Sequence, residues 1–291
     1  MTEVETLLEA AADAARDESA TPAERAQMLM ELAMGLQRKP KTVEHVRSAV
    51  GLYEEALALC PADEPLLAAR IAARRATALQ ALPDEGNAFI EQARAALEGA
   101  IPVLQRHGTP AELAEAEMNA GLCLHYLGRI REAIGAYQRA LRTFDAKHHP
   151  AEFAILQSNL ATAFLAVGSP LSEALAVQAF EEGLKAVNLI DHPAEYAMLQ
   201  NNLGNALQSV ASSHAADNHV RALAAYDEAL KVRTPATRPV EYANTLANKA
   251  NCLWTLGRVE EAKAAYAEAR EVFLSHGEHG KARAVLEAMG G

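Results

Sequence analysis

Asn119, Asn159, Asn202 and Asn248 each stand nine residues after a proline, one in each of four consecutive copies of a repeated pattern. A carboxamide offers one acceptor and two donors. A column of them can therefore hold the peptide groups of an extended ligand in either chain direction without demanding a particular side chain. Asn201 extends the column one residue earlier in its copy, and Asn205 and Asn251 lie three residues after the column position in theirs. The competing reading is that these amides tie neighbouring helices together, since a buried amide without a partner costs roughly 1–3 kcal/mol. The two roles are compatible. Tyr126 adds an aromatic contact beside the column.

The column stops in the first two copies, where the same position is Glu31 and Arg74. Arg70 and Arg74 are four residues apart, so on a helix both guanidinium groups point the same way, and Arg75 is adjacent. Such a pair could clamp a carboxylate through charge-assisted hydrogen bonds. The alternative is a solvated salt bridge to Glu64, Glu98 or an acid of the third copy, worth little energetically. Lys249 replaces a leucine found in copies 1, 4 and 5, and either snorkels along its stem or marks the ligand groove.

Other reactive residue types do not assemble into a catalytic constellation. His148, His149 and His192 sit just before prolines, and His214 and His219 fall in an extended turn. His276 and His279 flank Glu278, a faint metal pattern with no third ligand spaced to close it. Cys60, Cys123 and Cys252 lie in different copies, with neither disulfide nor zinc spacing. Carboxylate pairs such as Glu181/Glu182 and Glu260/Glu261 fall on helix faces expected to be solvated. No phosphate loop, nucleophile elbow or zinc-protease motif occurs. The expectation is a chain without metal or cofactor that is not an enzyme.

The elements that must position the asparagines repeat with a period of 40 to 46 residues. The leading prolines are Pro22, Pro65, Pro110, Pro150, Pro193 and Pro239. Four residues on stands alanine in every copy, and eleven on a small residue (Ala33, Ala76, Gly121, Ala161, Gly204, Ala250). Fourteen on the residue is large and apolar (Leu36, Leu79, Leu124, Phe164, Leu207, Leu253). These offsets share one helical stripe, where small residues allow close helix approach and the bulky one fills the widening gap. A second helix follows with Ala-x3-Tyr/Phe/Leu-x2-Ala/Gly, as in Ala133/Tyr137/Ala140 and Ala222/Tyr226/Ala229. Such a period predicts a solenoid, whose long inner wall makes binding the default function.

Segments such as AEMNAGLCLHYLGRIREAIGAYQRAL and HPAEYAMLQNNLGNAL resemble tetratricopeptide repeats. The Asn-Leu-Gly triplet, Gly128 and Gly257 ending first helices, and the Ala…Tyr…Ala second helix carry the likeness. The His-Pro-Ala-Glu opening is similar to the longer repeats of kinesin light chain and of bacterial proteins with P-x-E-Y/F-A repeats. The resemblance implies an all-α, right-handed superhelical solenoid of about six two-helix repeats with terminal capping helices. It also implies that the asparagine column lines the inner surface and that the chain binds peptides or protein surfaces. Expected boundaries are a cap at 1–20, repeats at 21–60, 61–107, 108–148, 149–191, 192–237 and 238–277, and a second cap at 278–291. Val4, Leu7, Leu8 and Ala11 would form the apolar side of the first cap. The turn between helices is expected to be longer in repeats 1, 2, 4 and 5, most visibly at Ala211 to His219. The Arg70/Arg74 pair resembles part of the carboxylate clamp that holds chaperone C-termini, but the lysine and asparagine expected in preceding repeats are missing.

Composition agrees with a helical chain: half the residues are hydrophobic and 5% aromatic, with β-branched runs nearly absent. A formal charge of -11 argues against nucleic acid, which needs clustered Lys and Arg. No window is apolar enough for a membrane span, and the acidic N-terminus is unlike a signal peptide, so a cytoplasmic location is expected. The function expected is a non-catalytic scaffold binding a partner peptide or helix on its concave face, across repeats 3 to 6. In that scheme Arg70 and Arg74 receive an acidic group. The alternatives are homo-oligomeric assembly, enzyme maturation, and sensing of a peptide or small molecule.

Overall fold

The computed structural model describes residues 6, 10, 11, 13, 15, 17–38, 42–83, 86–210 and 215–290. These residues form helices and connecting turns, with no strand among them. The chain divides into two compact units, Met1–Thr143 and Phe144–Gly291.

The first unit contains α1 (Pro22–Arg38), α2 (Val43–Leu59), α3 (Pro65–Gln80), α4 (Ala88–His107), α5 (Pro110–Tyr126) and α6 (Ile130–Ala140). The second contains α7 (Pro150–Val167), α8 (Pro170–Ala186), α9 (Pro193–Ser209), α10 (Ala215–Leu230), α11 (Pro239–Thr255), α12 (Val259–Ser275) and α13 (His279–Gly290). Proline starts most first helices because its missing N–H is one that a helix start leaves unpaired anyway. At α5 the start is reinforced by a capping box, Thr109 accepting from the Glu112 N–H while the Glu112 carboxylate accepts from the Thr109 N–H. Gly128 and Gly257 follow α5 and α11 at φ 73° and 77°, a left-handed conformation that a side chain would strain.

Within each unit the helices pack as antiparallel pairs, α1 with α2 through to α11 with α12. Inside each unit a second helix also rests on the next first helix of that unit, and successive first helices of the unit touch each other. Second helices make no comparable contact with one another among the described residues. First helices therefore lie closer together than second helices, so each stack curves with its first helices on the inner side.

The small-residue stripe sits at the centre of every pair. Ala26, Ala154 and Ala243 are fully buried, as are Ala33, Ala76, Ala161 and Ala250. Two copies need glycine: a Cβ on Gly121 would lie 2.5 Å from the Tyr137 ring, and one on Gly204 would lie 2.6 Å from the Tyr226 ring.

Two expectations about the turns need correction. In repeat 4 the connection is only Gly168 and Ser169, because the extra residues extend α8 rather than the loop. Pro170 and the reciprocal Ser169/Ser172 hydrogen bonds start that helix early. In repeat 5, residues from Ala215 onward already belong to α10, so much of the expected Ala211–His219 turn is helical; positions 211–214 lie outside the described residues.

At the N-terminal end, Val4, Leu7 and Leu8 also lie outside the described residues, whereas Ala11 is buried in the first unit's core. At the other end α13 packs on α12 and buries Ala282 and Val285.

Candidate ligand-binding faces of the first helices

In the first unit, α3 and α5 flank a small cleft on the inner side. Arg70, Arg74 and Thr77 line it from α3, Glu112, Glu115 and Asn119 from α5, and Leu104 and Ala116 form apolar lining. The two arginines do share one face, but each already has a carboxylate. Arg70 donates through Nε to Glu112 Oε1 at 2.6 Å and through Nη2 to Oε2 at 3.4 Å. Arg74 donates to Glu115 at 2.8 Å. The acids of the third repeat thus neutralise the pair, and a ligand carboxylate would have to displace them. Arg70, followed by the Thr109 N–H, holds the Glu112 carboxyl below its ordinary value against the effect of partial burial. Arg75 points elsewhere and pairs with Glu54.

Asn119 spans the same cleft. Its Nδ2 donates to Thr77 Oγ1 at 3.3 Å, and its main-chain carbonyl accepts from Gln80 Nε2 at 2.8 Å. The carboxamide thereby ties α5 to α3. Its Oδ1 has no donor among the described residues. Tyr126, at the end of α5, is 62% exposed.

The second unit carries the rest of the column on α7, α9 and α11. Asn202 Nδ2 donates to Ser158 Oγ of α7 at 3.2 Å, and Asn248 Nδ2 donates to Asn201 Oδ1 of α9 at 3.3 Å. Asn201 in turn donates to Asn202 Oδ1 at 3.1 Å. Gln208 reaches the Asn248 carbonyl at 3.4 Å, the same device as Gln80 on Asn119. Three of the four column asparagines thus donate to the preceding first helix. Asn159 differs: it is half-buried and its carboxamide makes no hydrogen bond among the described residues. Asn248 Oδ1 likewise takes no donor among the described residues.

Asn205 and Asn251 face the second helices of their own pairs and accept from the hydroxyls of Tyr226 (2.7 Å) and Tyr266 respectively. They anchor buried tyrosines and stand apart from the column. Lys249 also turns to the second helix, its Nζ 2.5 Å from Asp227.

Two residues on these faces escaped the pattern reading. Asn244, one turn before Asn248, is half-buried and makes no hydrogen bond among the described residues. Arg233 donates to the fully buried Thr245 of α11 at 2.8 Å. Its signal was available in the sequence: six residues before the proline, copies 2 to 5 carry Leu59, Leu104, Phe144 and Val187.

The remaining reactive groups are quiet. Burial pushes the Cys252 thiol up to about 11 and raises Cys123 as well, so both remain protonated and poorly nucleophilic at neutral pH. His149 and His192 occupy N-cap positions without a side-chain cap bond. No group of three metal-ligating residues occurs among the described residues, and no described helix is long and apolar enough to cross a membrane.

No protein-family model and no curated protein matches the chain. Solved structures with this arrangement do exist. BtubC (BKLC) from P. vanneervenii aligns over 86% of this chain and 92% of its own, at 18% identity and TM-score 0.59. The type IV pilus biogenesis factor PilW aligns over 90% and 98%, at 18% identity and TM-score 0.61. The TPR-like repeats of a putative kinesin light chain from Podosopora anserina align over 75% and 98%, at 20% identity and TM-score 0.53. The fold is that of tetratricopeptide-like helical repeats.

Proposed function

We propose that the chain is a non-catalytic interaction scaffold that holds an extended segment of a partner protein along its first helices. The observation that carries this reading is the half-satisfied state of the carboxamides. Asn159 has no hydrogen-bond partner among the described residues, and Asn119 and Asn248 each spend a donor on the neighbouring helix while their oxygens take no donor among those residues. A peptide N–H can meet such an oxygen without dismantling the stack, so tying repeats and reading a backbone are served by one side chain. The fold supports the general reading, since stacked repeats expose more inner surface than their own core requires.

Asn159 separates the two roles. With no intramolecular bond to lose, Asn159→Ala should leave the urea unfolding midpoint unchanged, while weakening peptides selected on the wild-type chain from a displayed random library by about tenfold. Asn202→Ala and Asn248→Ala should reduce both. Unchanged peptide affinity in all three variants would refute the site.

A second reading, self-association, is favoured by Val167, Leu171 and Leu175, exposed apolar residues at the end of α7 and start of α8. A light-scattering mass above 31.1 kDa would support it.

A further inference from the structure

Arg233 stands where the four preceding copies place Leu59, Leu104, Phe144 and Val187, the first copy having Arg16, and Thr245, to which it donates, stands where three copies place Ile71, Leu156 and Leu199. Three of the four equivalent apolar residues are buried, Leu104, Phe144 and Val187 each at most 5% exposed, and Leu59 is half-buried. Stacking one repeat on the next therefore needs no charge at this point. Replacing an apolar pair by an arginine and a threonine costs desolvation that a single hydrogen bond between them does not return. Only the Thr245 hydroxyl takes a bond from the guanidinium among the described residues, leaving most of its five N–H donors unspent.

The position in the groove follows from the first unit. Leu104 and Ala116, the counterparts of Arg233 and Thr245, line the α3/α5 cleft. In that cleft the cations Arg70 and Arg74 are cancelled by Glu112 and Glu115. Between α9 and α11 the counterparts of these four are Met198, Asn202, Glu241 and Asn244. One acid of the two has become a carboxamide. The other, Glu241, lies 3.8 Å from Arg238, and makes no ion pair with Arg233 among the described residues. Burial holds the Arg233 guanidinium below its ordinary value, with Glu241 opposing and Arg238 reinforcing that push. The Arg233 charge is thus under-compensated, and Asn244 and Asn248, four residues apart on α11, can supply further polar contacts.

We propose that Arg233 is the cation of a carboxylate-binding subsite between α9 and α11, taking an acidic side chain or the terminal carboxylate of the partner peptide. This rests on the peptide-binding reading above and adds a charge requirement at one place along the ligand. A planar guanidinium with its donors free suits a carboxylate, which it can engage through two parallel bonds.

The test is selection of a random 12-residue library, displayed with free C-termini, on the full-length wild-type chain and on Arg233→Leu. The leucine matches Leu59 and Leu104 at the equivalent positions, so the variant should fold; Arg233→Gln provides a polar control, and circular dichroism checks both. Peptides enriched on the wild type should carry Asp or Glu at one fixed position, or none but a conserved distance to the C-terminus, and this preference should vanish on both variants. For a synthetic selected peptide, changing the acid to its amide, or amidating the terminus, should weaken wild-type binding by at least about tenfold and leave binding to Arg233→Leu unchanged. Those two changes also tell the two carboxylate sources apart. Enriched peptides without an acidic preference, or a preference that survives in Arg233→Leu, would overturn the subsite while leaving the carboxamide reading intact. Failure to enrich any peptide on the wild type would overturn both.

Discussion

Tyr137 and Tyr226 occupy equivalent places in their helix pairs and are both fully buried, yet only one hydroxyl is satisfied. Tyr226 donates to Asn205 at 2.7 Å and accepts from Gln208 at 2.5 Å. The corresponding positions beside Tyr137 are Leu122 and His125, and its hydroxyl is buried without a partner among the described residues. Removing an unpaired buried hydroxyl relieves a desolvation cost, whereas removing a paired one strands its partners. Tyr137→Phe should therefore leave the urea midpoint unchanged or raise it, while Tyr226→Phe should lose about 1 kcal/mol; equal losses would contradict the assignment. Glu112 supplies a second test, because it caps α5 and holds Arg70 at once. Its folded pKa is depressed, so its contribution is fully present above the unfolded carboxylate value and disappears as pH falls through the folded one. Glu112→Gln should cost about 1 kcal/mol at pH 7, and the gap between wild type and variant should close as the pH is lowered below about 4. A gap that persists in acid would point to packing instead of charge. The arginine pair shows why residue chemistry read from spacing alone overshoots. Four-residue spacing established a shared face for Arg70 and Arg74, but the acids that cancel them come from a helix some forty residues later, and only packing brings them into register.

The helix pair is the element on which the pattern is most legible, and Gly121 tests how tightly it is built. A Cβ there would meet Tyr137 Cε1 at 2.5 Å, against a ring that is fully buried and has nowhere to withdraw. Gly121→Ala should cost about 1–3 kcal/mol by overpacking, despite alanine's better helix propensity. The second repeat already contains the compensated combination, Ala76 opposite Leu97, both fully buried. Gly121→Ala combined with Tyr137→Leu should therefore recover part of the loss in urea denaturation, and a simple sum of the two single effects would argue against direct contact. Offsets of four, eleven and fourteen residues were readable because each repeat imposes the same packing environment on the same place. Turn lengths were not. Extra residues before the second helix are alanine- and leucine-rich and helix-competent, so Ser169 and Pro170 turn them into the opening of α8 instead of loop. Arg233 was overlooked for a related reason: it sits outside both helical stripes, so its departure from Leu59, Leu104, Phe144 and Val187 is visible in the sequence, but that those positions pack at a repeat boundary is known only from the burial of Leu104 and Phe144.

At the scale of the molecule, stability in a stacked array is approximately a sum of repeat terms and nearest-neighbour interfaces, so its ends decide where unfolding begins. The asparagine column shows the same dependence on neighbours: its existence was legible from position alone, but which face of each amide is spent could be known only once Ser158, Thr77 and Asn201 were found across the repeat boundary. The C-terminal end makes the argument testable. Helix α13 buries Ala282 and Val285 against α12, and Lys281 lies 5.8 Å from the centre of the Phe273 ring. We infer that α13 acts as a lid over the apolar face that would otherwise receive a further repeat. Truncation after Glu278 would uncover Phe273 and the buried alanines of α12 while deleting no residue of the asparagine column. Each 1 kcal/mol lost should lower the thermal midpoint by roughly 2–4 °C for a chain of this size, and the loss should be local. Amide exchange should accelerate most in α12, less in α11 and least in α9, because each interface passes only part of the destabilisation to the next. Full protection of α12 in the truncated chain would mean that the last pair is self-sufficient and that α13 serves some purpose other than closing the stack.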